Sequence, residues 1–581
     1  MAEAAGAARL SADGRSAALA ALAGTEHQVL VVGGGVVGAG VALDAATRGL
    51  SVGLVEARDF AAGTSSRSSK LIHGGLRYLE QLNVGLVREA LTERSLLLGV
   101  IAPHLVRPVP FVFPLTHRVW ERAYIGTGVG TYDVLSFSFG QTRGLPGHRQ
   151  LSRRGALRLV PGLKRSAITG AIAFWDAQVD DARYVLTLAR TAAQYGAQIA
   201  SRVQVTGFLR EGVRVTGVRA VDLESGAELE IRAQQVVNAT GVWTDEIQAM
   251  VGGRGTINLR VSKGVHLVVP KDRIHASAGI ILKTPFSVLF IIPWERHWII
   301  GTTDTEWAGS KAHPAASRAD IDYLLGQANR VLATPLGRED VTAVYAGLRP
   351  LLSGESELTS RLSREHVVAN PVPGLVLVAG GKYTTYRLMA RDAVDAVVHG
   401  LDWRTPPSCT DRVPLAGADG YLALWNARRR LATSSGLHVA RIEHLLRRYG
   451  SLAREVPGLI AADPGLGRPL AGADDYLRAE IVYAASHEGA RHLDDVLARR
   501  THIAMETTDR GLATAAEAAA LVAGPLRWDS GQTAREVGHY RAEVAAQHAA
   551  EEAVSDADAD AIAGAVPDIV PVRTGVDAAS H

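Results

Sequence analysis

The sequence predicts an α/β (α+β) protein in three parts: a dinucleotide-binding core, an antiparallel sheet built into it, and a helical C-terminal domain. Three observations predict this. A glycine-rich turn lies between a strand pattern and a helix pattern near the N-terminus. Several β-rich runs with hairpin signals follow it. After Pro406-Pro407 the texture becomes Ala- and Arg-rich and helical. The length agrees, since 581 residues exceed what one hydrophobic core serves.

Residues 1–24 read as a flexible arm, rich in Ala and lacking the basic start and unbroken apolar core of a signal peptide. HQVLVVGGG (27–35) is a short apolar strand ending in glycines. VVGAGVALDAATRGL carries apolar and small residues at helical spacing, and SVGLVE is a second buried strand; together they form a βαβ unit. Gly33-Gly34-Gly35-Val36-Val37-Gly38 matches G-x-G-x-x-G in that context. Gly33 permits the tight turn, Gly35 lets backbone approach a pyrophosphate, and Gly38 lets helix and strand pack closely. Val36 and Val37 stand at the helix start, whose N-terminus faces the phosphates. Glu56 ends the second strand, 23 residues after Gly33, where a carboxylate accepts ribose hydroxyls. The fingerprint serves NAD and FAD alike.

Further strands are expected at QVTGFLREGVRVTGVRAVDL, QQVVNATG, GVHLVVP, SVLFIIPWERHWIIGTTD and GLVLVAGG, with VLTLAR as a helix edge. Hairpin turns are expected at Glu211-Gly212 and at Glu295-Arg296. The domains are therefore 25–405, a cofactor domain interleaved with a sheet-based cap, and 406–545, a helical domain. The tail 546–581 is expected to be disordered, because from Glu551 onward it has seven acidic residues and one basic one.

The totals exclude some classes. With 62 basic and 59 acidic side chains the net charge is +3, too small for a global field that attracts nucleic acid. Cys409 is the only cysteine, so neither an intrachain disulfide nor a cysteine-rich metal site is available; this fits a reducing, cytoplasmic setting. No run approaches 18 apolar residues, which argues against a spanning helix. Peripheral attachment stays open: residues 421–460 carry seven arginines against Glu443 and Glu455, a patch suited to anionic lipid or to a solvated helical face.

Two segments extend the cofactor site. VVNATGVW (236–243) ends a strand in a small turn, so Thr240, Gly241 and Trp243 are candidates for cofactor contact. GLVLVAGGKYTTYR (374–387) supplies a second glycine turn opening a second helix, which suits a long cofactor with a flavin ring. Gly381, Lys382, Tyr383 and Thr384 are its candidates, and the Lys382 charge is placed to stabilise negative density on a reduced ring.

SSKLIHGGLRYLE, NATG, GVHLVVP, IIGTTD, GLRPL and GGKYTTYR, in this order between Val29 and Arg387, resemble the FAD-dependent glycerol-3-phosphate dehydrogenases of the respiratory, quinone-linked type. LIHGGLRYLE and GGKxTTYR are the specific motifs, and the helical C-terminal part fits that family's extra domain. Tyr383 stands where a leucine is usual. The resemblance implies a Rossmann-like FAD-binding domain with an antiparallel-sheet substrate cap. It also implies FAD, sn-glycerol 3-phosphate as hydride donor, dihydroxyacetone phosphate as product and a quinone as acceptor. A homodimer is compatible with it.

Under that resemblance Ser65, Ser68, Ser69, Leu71, His73 and Gly74 serve the cofactor, joined by Val205 and Asp304. Arg77, Tyr78, Arg349 and Lys382 lie in the substrate pocket, with Arg364 as a further phosphate ligand; Arg349 and Lys382 also reach the cofactor. A phosphate dianion calls for such fixed cationic donors. Removal of the hydroxyl proton calls for a neutral histidine, with His266 the first choice and His73 the second. Arg349 and Lys382 complete the catalytic set. The rival readings are an oxidase of the same substrate that makes peroxide, an amino-acid oxidase, and a non-catalytic flavin-binding module.

Overall fold

The run Val29-Leu30-Val31 is apolar toward both faces, and all three side chains are fully buried at the centre of a parallel sheet. The computed structural model describes residues 8–75, 83–117, 121, 126, 128–130, 145–252, 257–284, 288–352, 366–401 and 404–573. In the first sheet the strands run in the order His366–Val372, Leu375–Gly380, Glu228–Asn238, His27–Val32, Val52–Glu56, Gln198–Ser201. The last five are mutually parallel, in a register that aligns Val32 with both Asn238 and Val55, so the glycine turns, Asn238 and Glu56 share one edge. The hairpin Val203–Glu211/Arg214–Asp222 joins this sheet antiparallel to Glu228–Asn238.

Helices Val36–Thr47, Asp181–Gln194 and Tyr386–His399 bury their small and aliphatic faces in one core. Helix Ala12–Gly24 contributes Leu22 to another, with Leu30 and Val55.

The second sheet has ten strands and is the cap. Its long centre is Leu259–Pro270, paired antiparallel with His297–Gly301 on one side and Ala343–Leu352 on the other. That second pairing sets His266 opposite Tyr345 and Ser262 opposite Arg349. Helix Arg318–Asn329 packs behind it. The expected hairpins are present: Gly212 turns at φ +59° and Glu295 at φ +42°.

The C-terminal region is helical from Tyr421 onward, apart from the short ribbon Pro469–Leu470/Ala473–Leu477. A seam of buried ions joins it to the cofactor domain. Arg183 forks onto Glu488 at 2.6 and 3.1 Å, Arg499 Nε reaches Asp59 at 2.6 Å, and Arg202 reaches Asp495 at 2.9 Å. His492 sits between Glu536 (2.8 Å) and Glu224 (2.9 Å).

Three expectations are corrected. Residues 12–24 are a docked helix, because Leu22 finds an apolar site and Arg15 pairs with Asp222. VLTLAR lies well inside helix Asp181–Gln194 and is buried along its whole length, so its apolar run belongs to a core helix rather than to a strand or helix edge. The acidic tail is ordered through Arg573: helix Ser530–Glu552 runs past residue 545 and helix Asp556–Gly564 follows. No helix among the described residues is long and apolar enough to cross a membrane.

Candidate active site

A cavity of about 1970 Å³ opens between the two sheets. The first glycine turn forms its floor. Gly33 adopts φ +111°, and a Cβ there would come within 2.7 Å of the Ala239 carbonyl oxygen. Gly38 lies under the turn, where a Cβ would come within 1.9 Å of the Gly33 carbonyl oxygen; its place is structural rather than on the cavity wall. Glu56 accepts the Gly34 amide at 2.6 Å and the Arg58 amide at 2.7 Å. Burial raises its pKa, and these two hydrogen bonds offset part of the rise. The Ser65 hydroxyl accepts the Val36 amide at 3.0 Å, capping the helix that points at the cavity.

The cavity wall includes Gly33, Gly35, Val36, Val37, Glu56, Ser65, Ser68, Ser69, Leu71 and His73 from the first motifs. Val205, Thr240, Gly241, Trp243, Asp304 and Arg349 join them, as do Gly381, Lys382, Tyr383 and Thr384. Gly74 stands off the wall, its amide directed at Asp176 at 3.4 Å. The second glycine turn is tied to the first segment through the Thr384 hydroxyl, 3.3 Å from the His73 amide. Arg77, Tyr78 and Arg364 lie outside the described residues.

His266 is buried, stacked on Tyr345 with ring centroids 4.7 Å apart, and its Nε2 is 2.8 Å from Ser69 Oγ. Burial holds its pKa well below 6.5, and the nearby Arg349 and Lys70 cations push the same way, so the ring is neutral. Its Nδ1 is buried and has no hydrogen-bond partner. Arg349 donates to Thr302 Oγ1 at 2.8 Å and to the Thr303 carbonyl at 3.2 Å, and lies 3.5 Å from Asp304. Asp304 also accepts from the Ser262 hydroxyl. Gly264 leaves room for this guanidinium: a Cβ would come within 2.3 Å of Nη2.

Sequence reasoning missed the residues that hold His266 in place. Asp181 accepts the Ser68 amide and hydroxyl at 3.0 and 2.7 Å and pairs with Lys70 at 2.6 Å. The Lys70 ammonium sits over the Trp294 and Tyr345 rings, and the Tyr345 hydroxyl donates to the Ser68 carbonyl. These contacts fix the segment on which Ser69 meets His266. Nothing local marks Asp181, which lies more than a hundred residues from its partners. Thr302 and Thr303 adjoin Asp304 in GTTD and were within reach of that motif.

Residues 28–387 match the family described as FAD dependent oxidoreductase, and residues 408–533 match the C-terminal domain of alpha-glycerophosphate oxidase. Glycerol-3-phosphate dehydrogenase 2 of Mycobacterium bovis is 58% identical over 525 residues, 90% of this chain and 89% of that protein. The chain belongs to the FAD-dependent glycerol-3-phosphate dehydrogenases. The mitochondrial glycerol-3-phosphate dehydrogenase of Homo sapiens is 37% identical across 89% of this chain and 73% of its own. The crystal structure of the Bacillus halodurans enzyme complexed with FAD is 28% identical and superposes with a TM-score of 0.75, covering 92% of this chain and 98% of that one.

FAD is the cofactor, and the residues fit it. A backbone cradle that side chains would fill lies at Gly33, a capped helix N-terminus faces the cavity, and the Glu56 carboxylate lines the same wall.

Proposed function

We propose that the protein oxidises sn-glycerol 3-phosphate to dihydroxyacetone phosphate and passes the electrons to a quinone. One observation carries the reading: a neutral histidine, His266, and a fixed guanidinium, Arg349, line the same cavity as both glycine turns. FAD, when bound, supplies the hydride acceptor. Arg349 and Lys382 offer cationic donors to the substrate phosphate and oxygen atoms. His266, neutral and held by the Ser69 hydroxyl at Nε2, is the group that takes the hydroxyl proton. Arg77, Tyr78 and Arg364 are proposed as further substrate ligands, and Gly33, Gly35, Glu56, Thr240 and Gly381 as cofactor contacts.

The quinone is favoured by the apolar part of the wall, where Phe113, Phe174, Ile281, Val288 and Phe290 suit an apolar acceptor. Contact with an anionic membrane rests on fewer arginines than the run 421–460 holds. Arg428 pairs with Glu443 at 2.7 Å and Arg448 is buried, whereas Arg429, Arg430 and Arg454 are exposed, as is Leu422.

The first test is anaerobic bleaching of the flavin spectrum by glycerol 3-phosphate; bands that persist would refute the substrate. Arg349→Ala is expected to raise KM at least about tenfold, the loss of one charged hydrogen bond, with flavin content unchanged. Peroxide yield against quinone-analogue reduction separates the acceptors, and stoichiometric peroxide would favour the oxidase.

A further inference from the structure

The tail beyond Glu551 is pinned to the cap and then to the cofactor domain. Asp556 lies 2.7 Å from the buried Lys263 Nζ and accepts from the Ser317 hydroxyl at 2.7 Å. Asp560 accepts the Ser310 amide at 3.0 Å. Ala559 is buried against Ala315 and Ala550. Asp568 then joins two groups from different elements, Arg58 Nε at 2.8 Å and His313 Nε2 at 3.1 Å. Five residues on, Arg573 and Gln204 exchange two hydrogen bonds: the Arg573 amide donates to Gln204 Oε1 at 2.8 Å, and Gln204 Nε2 donates to the Arg573 carbonyl at 2.9 Å.

The location gives these contacts their meaning. Val572 and Arg573 line the same cavity as both glycine turns, next to Gln204 and Val205. Arg58 is two residues beyond Glu56, the carboxylate at the ribose position, and its guanidinium lies over Trp243, another wall residue, 5.4 Å from the ring centroid. The tail therefore reaches the cavity at its adenosine end and is fastened to the loop that carries the ribose ligand.

We propose that residues 566–573 are part of the FAD site: they wall its adenosine end and retard release of the cofactor, with Asp568 as the anchor. Asp568 is a positioning residue in this arrangement, acting through Arg58 and through the placement of Val572 and Arg573. The inference concerns cofactor retention alone and is independent of which alcohol the enzyme oxidises.

Full-length holoprotein provides the test. Release of FAD is followed by the rise of flavin fluorescence after dilution. Asp568→Asn keeps the shape and removes the charge, and is expected to speed release about tenfold, with Asp568→Glu restoring most of the parent rate. Gln204→Ala cuts the second attachment at a half-buried site that the core does not use, and is expected to speed release in the same direction. A purely structural role would lower the melting temperature without a rescue pattern in the release rate. Parent-like release in both Asp568→Asn and Gln204→Ala would overturn the proposal.

Discussion

The glycine turn at 33–38 and the tail from Glu551 to Arg573 end at the same cavity, yet their sequences announce them in opposite ways. The turn declares itself because its constraint is covalent and local. Gly33 sits at φ +111°, and Gly38 touches a carbonyl only five residues earlier in the chain. The tail shows an excess of acid over base, which reads as disorder when its partners are unknown. In the folded chain five of those seven acids have partners elsewhere: Glu551 in Arg510, Glu552 in Arg318, Asp556 in Lys263, Asp560 in Ser310, and Asp568 in Arg58 and His313. Every one of these partners lies outside the tail, most of them hundreds of residues away. Charge composition reports order only when the complementary charge is close in sequence.

The largest test of that contrast is Gly38→Ala. Its added methyl would need the Gly33 carbonyl to move by more than an ångström, so loss of nearly all bound flavin is expected, measured as absorbance per protein. Retained flavin would show that the turn is more yielding than its contacts imply. Next comes Lys263→Met. This side chain is fully buried and faces the buried Asp320 and the part-exposed Asp556, so its removal strands the Asp320 carboxylate at a cost of about 3–5 kcal/mol in denaturant unfolding. Proteolysis should then cut near residue 556 first, and an unchanged pattern would mean that the tail docks without it.

The smallest expected effect concerns the seam. Burial disfavours the charged form of His492, but the Glu224 and Glu536 carboxylates outweigh it and raise its pKa from 6.5 to about 9. A folded pKa raised in this way stabilises the protein fully below pH 6.5, and the benefit is lost as pH rises through about 9. The melting temperature is therefore expected to fall between pH 7 and pH 10, and Glu224→Gln should flatten that fall. An equal slope in parent and variant would place the titration elsewhere.

Much of the fold was legible because its signals are periodic or local: the buried strand at Val29–Val32, both hairpins, and the strand that carries His266. Residues that share the cavity wall were legible where a motif carries its own geometry, as with Glu56, the second glycine turn and Arg349 beside Gly347. It was illegible where a residue's meaning is a distant partner. Asp181, Lys70 and Tyr345 hold His266 through contacts that no window of sequence contains, and Leu22 buries a helix that composition presents as a loose arm.

Chain order adds a consequence of the anchored tail. A ribosome completes both glycine turns, His266 and Arg349 well before it makes Asp568. The wall residues Val572 and Arg573 are thus made after the rest of the cavity, so under the proposed role of the tail the grip on the cofactor's adenosine end is the last part of the site to be built.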